Sequence, residues 1–371
     1  MRTPKLTPLA ATLPATVPFV GPEAQERQRS RPFQARLGAN ESSFGPAPKA
    51  IAAMQAAASE TWMYADPESH ELRHAIANHH QVAPENIMIG EGIDALLGLA
   101  VRLYIGAGDP VVTSAGAYPT FNYHVAGFGG AIHSVPYKDD HEDPDALIDT
   151  AHTVGAKMIY IANPDNPMGS WHHGDVINRM IAGLPDGCML VLDEAYIELA
   201  PADTAPAIDI TTTNVMRMRT FSKAHGMAGA RVGYVIGATE TISAFNKVRN
   251  HFGMSRISQA GALAALEDPD WLADIRQKVE AARERIGAIA RRHNLAPLPS
   301  ATNFVTIDCG ADGAFAREVL DQLIARDVFV RMPFVAPQNR CIRVSCGTTE
   351  QLDVFEAAFG PALSAAREKL G

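Results

Sequence analysis

The 371-residue chain is predicted to be an α/β protein, with a large domain on a mostly parallel sheet of about seven strands and a smaller α+β C-terminal domain. Three observations lead there. From Arg36 onward, short apolar runs bounded by turn residues alternate with segments of helical spacing, the pattern of strands joined by crossover helices. After Asn246 the alternation gives way to long amphipathic segments, which marks a domain junction. The length also exceeds what one hydrophobic core usually organises. The expected divisions are 1–44 for an N-terminal arm and small-domain segment, 45–270 for the large domain and 271–371 for the small one.

Taken in order, the segment before Gln25 is rich in Pro and Ala and reads as an extended arm. Arg2 and Lys5 precede an apolar stretch in the manner of a signal peptide, but Pro4, Pro8, Pro14 and Pro18 interrupt any helix there. Residues 94–105 have apolar helical spacing. Strands are predicted at 111–112, 131–135, 157–162, 188–193, 215–221 and 231–236, each short and apolar. A ligand of such a sheet is expected at the carboxyl ends of its strands. Residues 271–292 mix Ile, Val, Ala and Leu with charges as an amphipathic rod. Strands at 303–309, 328–331 and 341–346 then surround helices at 313–325 and 349–370.

Composition narrows the function. Hydrophobic residues make up 47% and charged ones 20%, and no apolar run is long enough to cross a bilayer. Net charge is -9, without a Lys/Arg cluster that would track a nucleic acid backbone. Small molecules are therefore the expected partners. Cys188, Cys309, Cys341 and Cys346 show no metal or redox spacing and lie in apolar runs, as packed thiols do. A reducing compartment follows, so the protein is expected in the cytoplasm.

Lys223 carries the most chemistry. It lies in Thr220-Phe221-Ser222-Lys223-Ala224-His225-Gly226, framed by hydroxyls and followed by Arg231, which suits a lysine held beside a phosphate for Schiff-base chemistry with an aldehyde cofactor. Thirty residues upstream, Leu190-Val191-Leu192-Asp193 is a buried strand ending in the carboxylate that a pyridinium nitrogen needs. The implied cofactor is pyridoxal 5'-phosphate, with Lys223 forming an aldimine and then shuttling the proton between Cα and C4'. Thr220, Ser222 and the forked donors of Arg231 suit its phosphate, as do the backbone amides of Ile93 and Asp94 where Gly90-Glu91-Gly92 opens a helix. Asn166, in the loop Asn163-Pro164-Asp165-Asn166-Pro167, would share the O3' oxygen with Tyr196, and Tyr118 would stack on the ring. Glu194 reads as structural.

With these residues in place, the chain resembles the fold type I, PLP-dependent class I/II aminotransferases, and most of all their histidinol-phosphate aminotransferase branch. Leu37-Gly38-Ala39-Asn40-Glu41-Ser42 matches the opening of that branch, and Tyr64-Ala65-Asp66-Pro67 with Leu72-Arg73 matches its tyrosine segment. The resemblance implies that Tyr64 reaches the cofactor phosphate of a neighbouring subunit, and so a homodimer with shared sites. It also implies that Arg343 grips the anionic end of the substrate, with Arg331 as a second grip. Four departures bear on the substrate: Phe19 stands where the branch has an arm tyrosine, Gly92-Ile93-Asp94-Ala95 lacks the usual hydroxyls, Met168 replaces threonine, and 249–254 departs from the proline-asparagine pattern.

The expected reaction is transfer of an amino group from histidinol phosphate or a related amine to 2-oxoglutarate. Two alternatives stay open: an aminotransferase for an ordinary amino acid, an aromatic one included, and a phosphothreonine-type decarboxylase. A ligand-sensing regulator of this fold is expected to carry a DNA-binding module ahead of it, and none is read here.

Overall fold

The computed structural model describes residues 3–15 and 19–370, so Arg2 and Pro18 of the arm lie outside the described residues. The arm is not wholly extended as expected, because Pro8–Thr12 and Pro22–Arg29 are helices. Proline suits a first helical position, where its missing N–H would have no intrahelical partner. Thr7 adds a cap, its hydroxyl accepting from Ala10 N–H at 3.3 Å.

Twelve strands follow among the described residues. They are β1 (Ala35–Arg36), β2 (Ile87–Gly90), β3 (Pro110–Ser114), β4 (Ala131–Val135), β5 (Met158–Ala162) and β6 (Met189–Asp193). Beyond them come β7 (Val215–Thr220), β8 (Gly233–Ile236), β9 (Ala296–Pro297), β10 (Phe304–Asp308), β11 (Val328–Phe329) and β12 (Cys341–Ser345).

Seven of them form one sheet in the order β2-β8-β7-β6-β5-β3-β4. Pairing is parallel throughout, except that β8 runs antiparallel to both β7 and β2. The fold class is the expected one, and β2 is the member that the sequence reading did not place. The central strands β5 and β6 are buried along their whole length, as expected where helices cover both faces. In β5, Met158, Tyr160 and Ala162 enter one core while Ile159 and Ile161 enter the other. Chain order reverses between β3 and β5, which opens a crevice at their carboxyl ends.

The C-terminal part has a three-stranded antiparallel sheet, β12-β10-β9. Helices Pro269–Arg292, Gly313–Ala325 and Thr349–Leu370 accompany it. The first buries Ile275, Val279, Ala282, Ile286 and Ile289 at helical spacing, so its apolar stripe drives the packing. β1 pairs with β11, tying residues ahead of the large sheet to this later unit. Ala35, Leu37 and Ala224 share one core with Ile286, Val344 and Phe355. The residue after Lys223 is therefore packed into the C-terminal core.

Candidate active site

A cavity of about 380 Å³ lies at the carboxyl ends of the large sheet. Lys223, Asp193, Asn166, Tyr196 and Tyr118 line it, each from a turn after a different strand or from a strand's last residue. Ile93, Asp94, Thr220, Ser222, Arg231 and Arg343 line it as well.

Lys223 sits in the loop between β7 and β8. Its Nζ donates to the main-chain oxygen of Asn40 at 3.2 Å and lies 5.6 Å from the Tyr196 ring centroid. Burial, with the Arg343 guanidinium second, pulls its ammonium down to about 8. The loop depends on Gly226, whose φ of +68° favours glycine and whose missing Cβ would lie 2.2 Å from the Gly45 oxygen.

Asp193 ends β6. Its Oδ2 accepts from the Tyr160 hydroxyl at 2.8 Å and its Oδ1 from Ala195 N–H at 3.0 Å. Burial pushes its carboxyl up to about 6 against the pull of these two donors. Such a carboxylate is short of a cationic partner. The adjacent Glu194 is different: burial opposes its charge, but Arg219 and Arg217 outweigh burial and hold it below the ordinary range. It accepts from Arg217 Nη2 at 2.6 Å and Arg219 Nε at 2.9 Å, a structural role as expected.

An anion cradle forms where helix Gly92–Tyr104 begins. Gly92 has a φ of +84°, and a Cβ there would lie 2.3 Å from Arg231 Nη2, so glycine admits the guanidinium to the helix start. Arg231 Nη1 donates to Ser222 Oγ at 3.3 Å and to the Ala228 oxygen at 3.0 Å, and Nη2 lies 3.7 Å from Asp94 Oδ2. Thr220 Oγ1 donates to Ser222 Oγ at 2.9 Å. The Tyr118 hydroxyl donates to Asp94 Oδ1 at 2.9 Å, and burial raises its pKa.

Asn166 stands on a loop held from below. Asp165 Oδ1 accepts from the Tyr137 hydroxyl at 2.8 Å, and its Oδ2 from Met168 N–H at 2.9 Å. Asn166 Oδ1 accepts from Arg343 Nη1, so the loop meets β12 across the cavity. Arg343 Nη2 donates to the Gly38 oxygen at 3.2 Å, while its Nε is buried without a partner. Burial lowers the pKa of Arg343.

Two expected site residues lie outside this cavity. Arg331 bridges the backbone of Arg343, but its guanidinium packs 4.0 Å from the Phe19 ring centroid and donates to the Val20 oxygen. Burial pulls it down to about 10. Phe19 itself lines the cavity, so the arm stands between Arg331 and the space within. Tyr64 is 77% exposed and packs on Phe252 with ring centroids 4.5 Å apart.

Sequence reasoning missed Tyr160 and gave Asn40 no role of its own. A hydroxyl-bearing ring inside an aliphatic five-residue strand was the available signal for the first. For Asn40 the signal is structural, a φ of +55° and partners far along the chain.

Known proteins similar to this chain are aminotransferases. Residues 34–359 match the family described as "Aminotransferase class I and II". The chain is 52% identical to the histidinol-phosphate aminotransferase of Sinorhizobium meliloti, whose crystal structure is in complex with pyridoxal-5'-phosphate. The two superpose with a TM-score of 0.95 over 98% of this chain and 99% of that one. It is also 32% identical over 345 residues to the histidinol-phosphate aminotransferase of Staphylococcus haemolyticus, covering 92% of this chain and 95% of the relative. Histidinol-phosphate aminotransferase 1 of Bacillus anthracis is 30% identical over 346 residues, covering 92% of each.

Proposed function

Because the chain belongs to the class I and II aminotransferases, we propose that it uses pyridoxal 5'-phosphate to move an amino group from histidinol phosphate, or a closely related amine, to 2-oxoglutarate. The observation that carries this reading is that Lys223, Asp193 and the Arg231–Gly92 cradle border one cavity. The residues present fit the cofactor. A buried carboxylate raised to about 6 wants a cation such as a protonated ring nitrogen. A glycine-opened helix start with a guanidinium and two hydroxyls suits a phosphate.

When bound, the cofactor supplies an electron sink for the pair left at Cα after proton loss. The protein's own groups do the rest. Lys223 would be the amine that holds the cofactor's aldehyde, and its free amine, pulled down to about 8, would take the Cα proton and hand it back. Asp193, fixed by Tyr160 and Ala195 N–H, would keep the ring nitrogen protonated. Ile93 and Asp94 amides, Thr220, Ser222 and Arg231 hold the phosphate. Tyr118 would pack on the ring, while Asn166 and Tyr196 would bind its O3'. Arg343 would hold the anionic end of the substrate, with Arg331 as a second grip.

Tyr64 would complete the phosphate site of a second copy, consistent with its exposure, and makes the working unit a homodimer. The divisions 1–44, 45–270 and 271–371 are taken as the arm, the cofactor domain and the small domain. Four buried free thiols support a reducing, cytoplasmic setting.

Borohydride treatment of the holoenzyme followed by peptide mass mapping tests the attachment, with the modification expected on Lys223. Steady-state rates over a panel of amino donors test the substrate, and absence of turnover with histidinol phosphate removes that donor. An amino-acid donor is the second reading, favoured by the apolar Phe19 ring that lines the cavity and covers Arg331.

A further inference from the structure

Asn40 lies in the segment between β1 and helix Pro48–Ala57, at 2% exposure and with a φ of +55°. Asparagine is one of the few side-chain-bearing residues that adopt this backbone region readily. Its main-chain oxygen accepts from Lys223 Nζ at 3.2 Å and from Asn303 Nδ2 at 3.0 Å. Its main-chain N–H donates to Ser345 Oγ at 3.1 Å, and its Oδ1 accepts from that same hydroxyl at 3.0 Å. Its Nδ2 donates to the Tyr196 hydroxyl at 3.0 Å.

These contacts fix proton positions. Ser345 Oγ accepts from Asn40 N–H and donates its own proton to Asn40 Oδ1. That sets the amide's orientation: oxygen toward Ser345, nitrogen toward Tyr196. The nitrogen can only donate, so the Tyr196 oxygen must accept. Among the described residues no side chain or carbonyl accepts the Tyr196 proton in turn, and Tyr196 lines the cavity. The phenol is thus left with its O–H free to point at whatever oxygen binds beside it.

We propose that Asn40, locked by Ser345, is a positioning residue that makes Tyr196 a hydrogen-bond donor to the cofactor's O3'. This inference rests on the reading that Tyr196 faces that oxygen. Its consequence is electrostatic. A donor on O3' stabilises the negative oxygen and weakens its hold on the proton shared with the Lys223-derived nitrogen, so that nitrogen gives up its proton at lower pH. Without Asn40 the phenol can turn, and the proton is held more tightly.

The test is a pH titration of the visible absorption band of the bound cofactor in holoenzyme, comparing Asn40→Gly with the wild type. Glycine keeps the +55° backbone and the main-chain oxygen that meets Lys223 while removing only the amide. The midpoint is expected to rise by about one pH unit, the size of one net hydrogen bond. In a Tyr196→Phe background the same substitution should leave the midpoint where Tyr196→Phe alone puts it, because no phenol remains to orient. Ser345→Ala, which frees the amide to flip, should move the midpoint in the same direction by less, and it keeps the test open if Asn40→Gly folds poorly.

An unchanged midpoint in a folded, coloured Asn40→Gly or Ser345→Ala protein overturns the proposal. So does an equal shift with and without the phenol. Wild-type protein that takes up no coloured, borohydride-trapped cofactor overturns the functional reading itself, a result distinct from both.

Discussion

The hydroxyl of Tyr160, in the middle of β5, donates to Asp193 Oδ2 at 2.8 Å, crossing to the last residue of the neighbouring strand β6. This bond favours the charged carboxylate and opposes the burial that raises it to about 6. Tyr160→Phe removes the donor, so the carboxyl rises further and stays protonated to higher pH. The acidic limb of the kcat profile should move to higher pH, and kcat should fall roughly tenfold with little change in KM. An unaltered pH profile would remove Tyr160 from the machinery.

Lys223 gives a prediction for the apoprotein. Its folded-state pKa of about 8 lies below the ordinary 10.5, so the unfolded chain holds the proton over a range where the folded chain has released it. Stability due to this group therefore rises with pH between about 8 and 10.5, and below that window the buried ammonium is a constant penalty. Lys223→Met apoprotein should be more stable than wild-type apoprotein below pH 8, by on the order of 3 kcal/mol. The gap should shrink towards pH 10.5. Urea unfolding of both apoproteins across that range checks the sign and the window.

Gly92→Ala puts a methyl into a left-handed position and within 2.3 Å of Arg231 Nη2. The guanidinium must retreat from the helix start. Cofactor affinity, measured by fluorescence titration of the apoprotein, should fall by about tenfold or more, equal to about 1.4 kcal/mol. Retained affinity would mean that the phosphate is held elsewhere.

The proposed use of Tyr64 by a second copy predicts complementation. Lys223→Ala and Tyr64→Ala proteins are each expected to be nearly inactive. A hybrid dimer regains one whole site, built from the lysine of one subunit and the tyrosine of the other. After equal mixing and subunit exchange, about a quarter of wild-type activity should return. No recovery despite exchange, followed by native mass spectrometry, would place Tyr64 in its own subunit's site or in none.

What the sequence revealed of this site follows from where each residue sits. Asp193, Asn166 and Lys223 were legible because each ends or follows an apolar run, and parallel strands bring such positions to one edge. β2 escaped because Ile-Met-Ile-Gly runs straight into Glu91 and the next helix, so four apolar residues looked like a helix approach. Tyr160 lies in a strand covered on both faces, where no alternation separates a functional ring from a packing one. Asn40 meets Ser345 across a separation of 305 residues, and contacts of that range leave no local pattern. Arg331, beyond β11, reads from the sequence as a second grip beside Arg343 of β12, yet the arm segment at Phe19 and Val20 occupies it.

The antiparallel return of β8 along β7 has an evolutionary corollary. Lys223 and Arg231 are borne on one short hairpin arc rather than on separate crossovers, and Thr220 faces Gly233 directly across it. Inserting or deleting a residue in the arc would change the spacing between Lys223 and Arg231, with only the three-residue helical turn Ala228–Ala230 to absorb the slip. Length in this arc should therefore be intolerant of change, while side chains facing away from the cavity remain free to drift.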